Sequence, residues 1–116
     1  METMTREAAG NLYQIYRRQL ADDRRYNRLA NEGGEGYERD CADHSLPKQV
    51  EAAGYLIDVS DCGRLYTREE WEEMKAKWNA TIKTITGKAT ISQIEKKSGL
   101  NYSLLMDGKR LFEKNI

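Results

Sequence analysis

The chain has 116 residues, of which 33% are charged and 39% hydrophobic, with one proline and a formal net charge of zero. This length suits a single domain, residues 1–116, and this composition indicates a helix-rich globular protein rather than a disordered or fibrous one. No apolar run approaches the roughly 18 residues needed to span a bilayer, and the N-terminus lacks the hydrophobic core of a signal peptide. We therefore expect a cytoplasmic protein with no membrane partner.

The zero net charge is the sum of the charges of two oppositely charged parts of the chain. Residues 75–116 carry nine cations and three carboxylates, whereas residues 1–74 carry ten cations and sixteen carboxylates, so the net charges are +6 and −6. A split of this kind is typical of a basic binding half beside an acidic half. It is equally expected of two halves that complement each other within one fold, so charge alone leaves both interpretations open.

Residues 5–31 are predicted to form one long amphipathic helix. Their apolar side chains fall within roughly half of a helical wheel at about 100° per residue. The opposite face carries an arginine ridge, Arg17, Arg24 and Arg28, which could bind phosphate or an acidic protein. A solvated face is the more usual meaning of such a ridge. The same helix is the candidate contact of a homodimer.

A loop, a short helix and a β-hairpin are predicted within residues 32–66. The segment Asn31 to Ser45 contains three glycines and five acids without periodicity, which indicates a loop. Ser45 is expected to cap a helix that has Pro47 in its first turn and ends before Gly54. Two β-rich runs, YLIDV and RLYT, flank the turn SDCG and predict the hairpin.

Cys41, His44 and Cys62 are the residues of this region that could ligate a metal. Cys41 and His44 have the Cys-x2-His spacing that zinc ligands use. The sequence has no second Cys-x2-Cys pair, and nothing in it orients the imidazole towards a thiol for catalysis. We therefore predict free cysteines and a surface histidine, with no metal site, no cofactor and no catalytic residue.

Three helices are predicted within residues 67–114. Their start signals are two capping boxes and one cap: Thr67 with Glu70, Thr90 with Gln93, and Asn101. The first helix has apolar residues at helical spacing and stops by Gly87, and the second ends at Gly99. The third is expected to run to about Lys114.

The sequence TISQIEKKSGLNYSLL, residues 90–105, places apolar residues at fixed distances from Gly99. Ile94 precedes this glycine by five positions, Leu100 follows it directly, and Leu105 lies six positions beyond it. These three anchors, with a helix on either side of the turn, resemble the pattern of the helix-turn-helix family of DNA-binding proteins. The resemblance covers residues 90–114, and it implies a C-terminal unit of three packed helices.

Three residues depart from the family's pattern. Glu95 stands where the family prefers an alanine that lets the two helices cross closely, so Glu95 could turn to solvent across a wider crossing. Gly108 stands where the family prefers a late apolar residue, for which Leu111 is the candidate replacement. Asp107 would bring a carboxylate close to phosphate.

The resemblance implies that the last helix enters the major groove of double-stranded DNA with its N-terminal residues at the base edges. The side chains expected at base edges are Asn101, Tyr102, Ser103, Met106 and Arg110. Those expected at phosphates are Thr90, Ser92, Lys96, Lys97 and Lys109. Asparagine can pair with adenine and arginine with guanine, which is why such residues suit the first role.

The leading interpretation is a small DNA-binding protein, a transcriptional regulator that uses a C-terminal helix-turn-helix and binds two half-sites as a dimer. The alternative is a non-enzymatic inhibitor or adaptor that binds a host protein, such as a phage-encoded inhibitor of a host defence system of anti-CRISPR or anti-restriction type. It would use the arginine ridge or the acidic loop from Glu32 to Asp43. The helix-turn-helix shape would then be incidental.

Overall fold

The computed structural model of the chain describes the backbone of residues 4–31 and 42–113, and the side chains of residues 4–25 and 42–113. Its helices are α1 (Arg6–Asn31), α2 (Ser45–Ala52), α3 (Arg68–Thr84), α4 (Ile91–Ser98) and α5 (Tyr102–Glu113). Two strands, β1 (Leu56–Asp58) and β2 (Arg64–Tyr66), form an antiparallel hairpin around a 3₁₀ turn at Val59–Asp61. The predicted mainly α fold, with its long first helix and small hairpin, is confirmed.

The predicted acidic loop and the absence of a membrane span can each be compared with the described residues. Most of the predicted acidic loop, residues 32–41, lies outside the described residues. None of the helices in the described ranges is long and apolar enough to cross a membrane.

The hairpin has a buried side chain on both of its faces. Leu56 pairs with Tyr66 and Ile57 pairs with Leu65 across the two strands. Because successive side chains of a strand point to opposite sides, Ile57 and Leu65 share one face, and Leu56 and Tyr66 share the other. All three residues of β1 are buried. The hairpin therefore separates two hydrophobic cores and contributes to each.

The first core joins α1 and α2 to the hairpin. Its buried residues are Ala9, Tyr13, Val50, Ile57 and Leu65. Polar contacts hold α1 in place at both ends of this core. The Tyr55 hydroxyl donates a hydrogen bond to the Met4 carbonyl oxygen at 3.0 Å, and the Arg17 guanidinium donates to the Cys62 carbonyl oxygen at 3.0 Å.

The second core joins α3, α4 and α5 to the opposite face of the hairpin. Its buried residues are Leu56, Trp71, Trp78, Ile94, Leu104 and Leu105. Trp71 is 1% exposed, and its indole N–H donates to the Leu105 carbonyl oxygen at 3.1 Å. The indole can come this close because Gly108 of α5 has no side chain: a Cβ at residue 108 would overlap the Trp71 ring.

The predicted helix starts are confirmed at three of the four positions. Both capping boxes form, and the Asn101 side chain accepts a hydrogen bond from the Ser103 N–H at 2.8 Å. The expectation that Ser45 caps α2 is wrong, because the N-cap position is His44 and makes no side-chain capping bond. The Asp43 carboxylate instead accepts from the Ser45 N–H at 3.0 Å.

Glu70 links the capping box of α3 to the start of α1. Its carboxylate accepts hydrogen bonds from the Thr67 N–H and hydroxyl and forms an ion pair with the Arg6 guanidinium. Desolvation raises the pKa of Glu70, but the Thr67 N–H, the Arg6 charge and the Thr67 hydroxyl together lower that pKa below its ordinary value. The ionised form of Glu70 therefore stabilises the contact between α1 and α3.

We expect Gly108→Ala to reduce the free energy of unfolding by about 1–3 kcal/mol, because the new methyl group overlaps Trp71 and the core must shift. Gly10→Ala is the matched control: a Cβ at residue 10 of α1 meets no atom within 4 Å. Alanine also favours a helix over glycine by about 1 kcal/mol, so the control should be neutral or stabilising. Urea denaturation of both variants measures the difference, and equal stabilities would contradict this account of Trp71.

We expect Glu70→Gln to destabilise the protein at neutral pH but not in acid. Because the pKa of Glu70 is lower in the folded state, its contribution to stability is present above the unfolded pKa of about 4.3 and is lost as pH falls through the folded value. Urea denaturation of the wild type and of Glu70→Gln between pH 3 and pH 7 tests this. A difference in unfolding free energy that is the same at both ends of the range would refute the role given to the Glu70 charge.

Candidate nucleic-acid interface

The unit α4–turn–α5 is held against α3 by the residues that carry the helix-turn-helix spacing. Ile94 and Leu105 are 5% and 7% exposed in the second core, and Leu100 packs against the same core from the turn. Gly99 ends α4 with a φ of 73°, a left-handed conformation that glycine adopts without strain. The three apolar anchors therefore all serve the packing that the sequence spacing implied.

The outer face of α5 carries three of the five side chains predicted at base edges. Ser103, Met106 and Arg110 are exposed, and their spacing of three and four residues places them on one face of the helix. Asn101 is also exposed, at the start of α5. Tyr102 differs: it is half-buried, and its ring centroid lies 5.7 Å from that of Trp78. Tyr102 is therefore partly committed to the core.

Arg110 is oriented towards α2 by an ion pair. Its guanidinium lies 3.5 Å from the carboxylate of Glu51, and the two side chains are 58% and 33% exposed. Exposed pairs of this kind stabilise a fold by about 0–1 kcal/mol. Arg110 can therefore leave Glu51 at little cost when a stronger acceptor is offered.

The five side chains predicted at phosphates are all exposed: Thr90, Ser92, Lys96, Lys97 and Lys109. Thr90 is the N-cap of α4, and its hydroxyl accepts a hydrogen bond from the Gln93 N–H at 3.2 Å. Lys96 and Lys97 lie in the last turn of α4, whereas Lys109 lies on α5. Cations are thus available on both helices of the unit.

Two of the residues that depart from the family's pattern have structural roles. The suggestion that Glu95 turns to solvent is wrong, because Glu95 is half-buried and its carboxylate accepts a hydrogen bond from the Tyr102 N–H at 3.0 Å. A carboxylate is favourable there, since the first N–H groups of a helix lack partners and carry partial positive charge. Gly108 faces Trp71, and Leu111, the candidate late anchor, packs against the second core. Asp107 is exposed.

A small crevice lies between α3 and α5, next to the outer face of α5. It has a volume of about 100 Å³, and Trp71, Trp78, Met106 and Lys109 contribute to its lining. Lys75 lies over the Trp71 ring at 4.4 Å. Hydrogen bonding to Glu113 raises the pKa of Lys75, so this cation is stabilised in place.

Sequence patterns did not predict a second, larger pocket between the end of α3 and the side of α4. We call it the α3–α4 pocket; it has a volume of about 390 Å³ and is lined by Thr84, Ile85, Thr86, Gln93, Lys96 and Lys97. The sequence feature that could have indicated this pocket is the threonine-rich run between two lysine-bearing helices, TITGKAT. That run resembles an ordinary loop until the two helices are placed side by side.

Of the arginine ridge, Arg17 is held to the hairpin and Arg24 is exposed, while the side chain of Arg28 lies outside the described part of the chain. His44 shares a hydrogen bond of 3.1 Å with the Tyr16 hydroxyl, and Cys62 is an exposed free cysteine. Cys41 falls outside the described residues. Within residues 4–25 and 42–113, no cluster of side chains could hold a metal ion.

In comparisons with known proteins, no family, no curated sequence and no solved structure matched this chain. Membership of the helix-turn-helix family therefore stays a prediction from the spacing of residues 90–114. The function has to be argued from the positions, charges and contacts of the chain's own residues.

We expect Glu95→Ala to destabilise the protein by about 1 kcal/mol, because α5 loses the carboxylate that accepts its first N–H. Glu73→Ala is the control, since Glu73 is an exposed acid on α3 and its removal should change stability by no more than about 0.5 kcal/mol. Thermal and urea denaturation of both variants measure the effect. A loss no larger in Glu95→Ala than in Glu73→Ala would contradict the capping role.

Proposed function

We propose that the chain is a small DNA-binding protein that places α5 in the major groove of double-stranded DNA and acts in the regulation of transcription. One observation carries the proposal: α5 is fixed to α3 on one side, while its other side offers Ser103, Met106 and Arg110 together at the surface. A helix held in this way can enter the groove without losing its packing. Hydroxyl and guanidinium groups can then hydrogen-bond to base edges.

The charge of the C-terminal half supports the same proposal. Lys96, Lys97 and Lys109 are exposed on the two motif helices, in the part of the chain with a net charge of +6. Phosphate contacts from such lysines supply affinity that does not depend on DNA sequence. The Glu95 carboxylate, which could repel phosphate, is occupied by the Tyr102 N–H.

Dimerisation is part of this proposal because helix-turn-helix proteins usually bind two half-sites one helical turn apart. The candidate contact is α1, where Ile15 is 44% exposed. A second copy of α1 could cover this side chain. Recognition of two half-sites then requires the two α5 helices to lie about one helical turn of DNA apart.

The alternative, a non-enzymatic inhibitor or adaptor that binds a host protein, has less support from the side-chain contacts. It would use the arginine ridge, and of the two ridge arginines with described side chains, Arg17 already donates to the Cys62 carbonyl oxygen. Arg24 remains exposed. The surface of α4 and α5 offers four exposed cations, against the two ridge arginines whose side chains are described, and we therefore favour DNA as the partner.

Binding to a mixed-sequence DNA duplex at two salt concentrations tests the proposal. With about four phosphate contacts, affinity should fall about a hundredfold between 50 and 200 mM salt. Lys109→Glu should weaken binding by about tenfold at the lower salt concentration, because it reverses one charge beside the groove. Lys77→Glu is the matched control, since Lys77 is an exposed lysine on α3, outside the two motif helices and the candidate dimer contact.

Two results would overturn the proposal. Absence of binding by the wild type at 50 mM salt would exclude phosphate contacts of the expected strength. Equal weakening by Lys109→Glu and Lys77→Glu would mean that overall charge, and not the surface of α5, determines the affinity. Circular dichroism of both variants confirms that each one is folded.

A further inference from the structure

We propose that the α3–α4 pocket binds a phosphate group. The pocket has a volume of about 390 Å³, which falls within the range of about 300–1,000 Å³ typical of ligand sites. The phosphate could belong to a DNA backbone, in which case the inference rests on the proposed function, or to a free polyphosphate. The chemistry of recognition is the same for both sources.

The pocket lies away from the contact between α4 and α5. Glu95 marks the side of α4 that faces α5, because its carboxylate accepts the Tyr102 N–H. Gln93 and Lys97 lie two positions before and after Glu95, which places them on nearly the opposite side of the helix. They face the end of α3 instead, where Thr84 and Thr86 complete the lining. Lys96 and Lys97 are also among the phosphate contacts that the helix-turn-helix resemblance implies, and the pocket adds Thr86 and Gln93 to them.

The lining of the pocket is rich in hydrogen-bond donors. Lys96 and Lys97 contribute ammonium groups, and Thr86 contributes a hydroxyl. The Gln93 carbonyl oxygen already accepts a hydrogen bond from the Thr90 N–H at 3.0 Å, so the free part of this side chain is its NH₂ donor. Among the described residues that line the pocket there is no carboxylate. Such a set of groups favours an anion with several acceptor oxygens.

Lys97 is held over the pocket by one long hydrogen bond. Its ammonium group donates to the Thr84 carbonyl oxygen at 3.5 Å, at the end of α3. An ammonium has three N–H groups, so further donors remain for a ligand. The bond to Thr84 is weak, since it is long and exposed, so Lys97 can give it up for a ligand at little cost. Lys97 is thus positioned near an incoming phosphate before binding.

The surrounding charge favours an anion as well. The segment 82–98 contains four lysines and a single carboxylate, Glu95, for a net charge of +3. That carboxylate is bound on the far side of α4. By contrast, a pocket at β2 and α3 has two carboxylates, Glu70 and Glu73, against one lysine in its lining, which disfavours phosphate. The difference between the two pockets is one of charge rather than of size alone.

The test is a titration of the ¹⁵N-labelled full chain with inorganic tripolyphosphate and, separately, with a 15-base-pair duplex, followed by ¹H–¹⁵N NMR. We expect the Gln93 side-chain amide and the Thr86 backbone amide to shift and saturate. Lys96→Gln/Lys97→Gln should weaken tripolyphosphate binding by about tenfold or more, and Thr86→Val should weaken it severalfold. Lys48→Gln/Lys77→Gln is the matched control, with the same change in charge at two exposed lysines outside the pocket.

The two ligands separate the possible sources of the phosphate. Shifts of Gln93 and Thr86 with tripolyphosphate but not with the duplex support the site and assign it to a free polyphosphate; the proposed DNA function fails as well only when the duplex shifts no other amide. Shifts of the same two groups with the duplex support it as a contact to the DNA backbone. Absence of these shifts with both ligands, even when other amides shift with the duplex, or equal weakening in the control overturns the inference.

Discussion

The two-sided burial of the hairpin is the constraint on which the other contacts depend. Leu56 lies in the core of α3, α4 and α5, and the next residue, Ile57, lies in the core of α1 and α2. An isolated two-stranded hairpin is marginally stable in water, so these strands need both cores to persist. In return, the hairpin fixes the spacing between the two groups of helices. A register shift of one residue would exchange its two faces and break both cores at once.

The position of α5 follows from this arrangement through Trp71. The indole fills the second core, donates to the Leu105 carbonyl oxygen, and lies against Gly108 because no side chain intervenes. These contacts determine which side of α5 is buried and, by the helical period, which side remains at the surface. Gly108 stands where the family prefers an apolar residue. It therefore sets the geometry of the proposed groove-binding surface.

Local signals made the helices and the hairpin predictable, whereas contacts between distant residues were not. The capping box at Thr90 joins groups that are three residues apart, so the local sequence is enough to predict it. The pairing of Arg110 with Glu51 joins residues 59 positions apart, and no periodicity reveals it. The cap that Glu95 provides for α5 was missed for another reason. The prediction considered this position only as a place where the family prefers alanine for close helix packing, and therefore turned the carboxylate towards solvent. The α3–α4 pocket likewise requires two helices to be placed side by side.

The spans of these contacts along the chain bear on the order in which the protein folds. The bond between Trp71 and Leu105 closes a segment of 34 residues, whereas Tyr55 and Met4 are 51 residues apart. Because loop closure costs more entropy as the loop lengthens, contacts among α3, α4 and α5 form at a smaller cost than the docking of α1. For these two spans the difference is only about 0.4 kcal/mol, which is too small to fix an order of events. The two cores are therefore expected to form together, coupled through the hairpin that belongs to both of them.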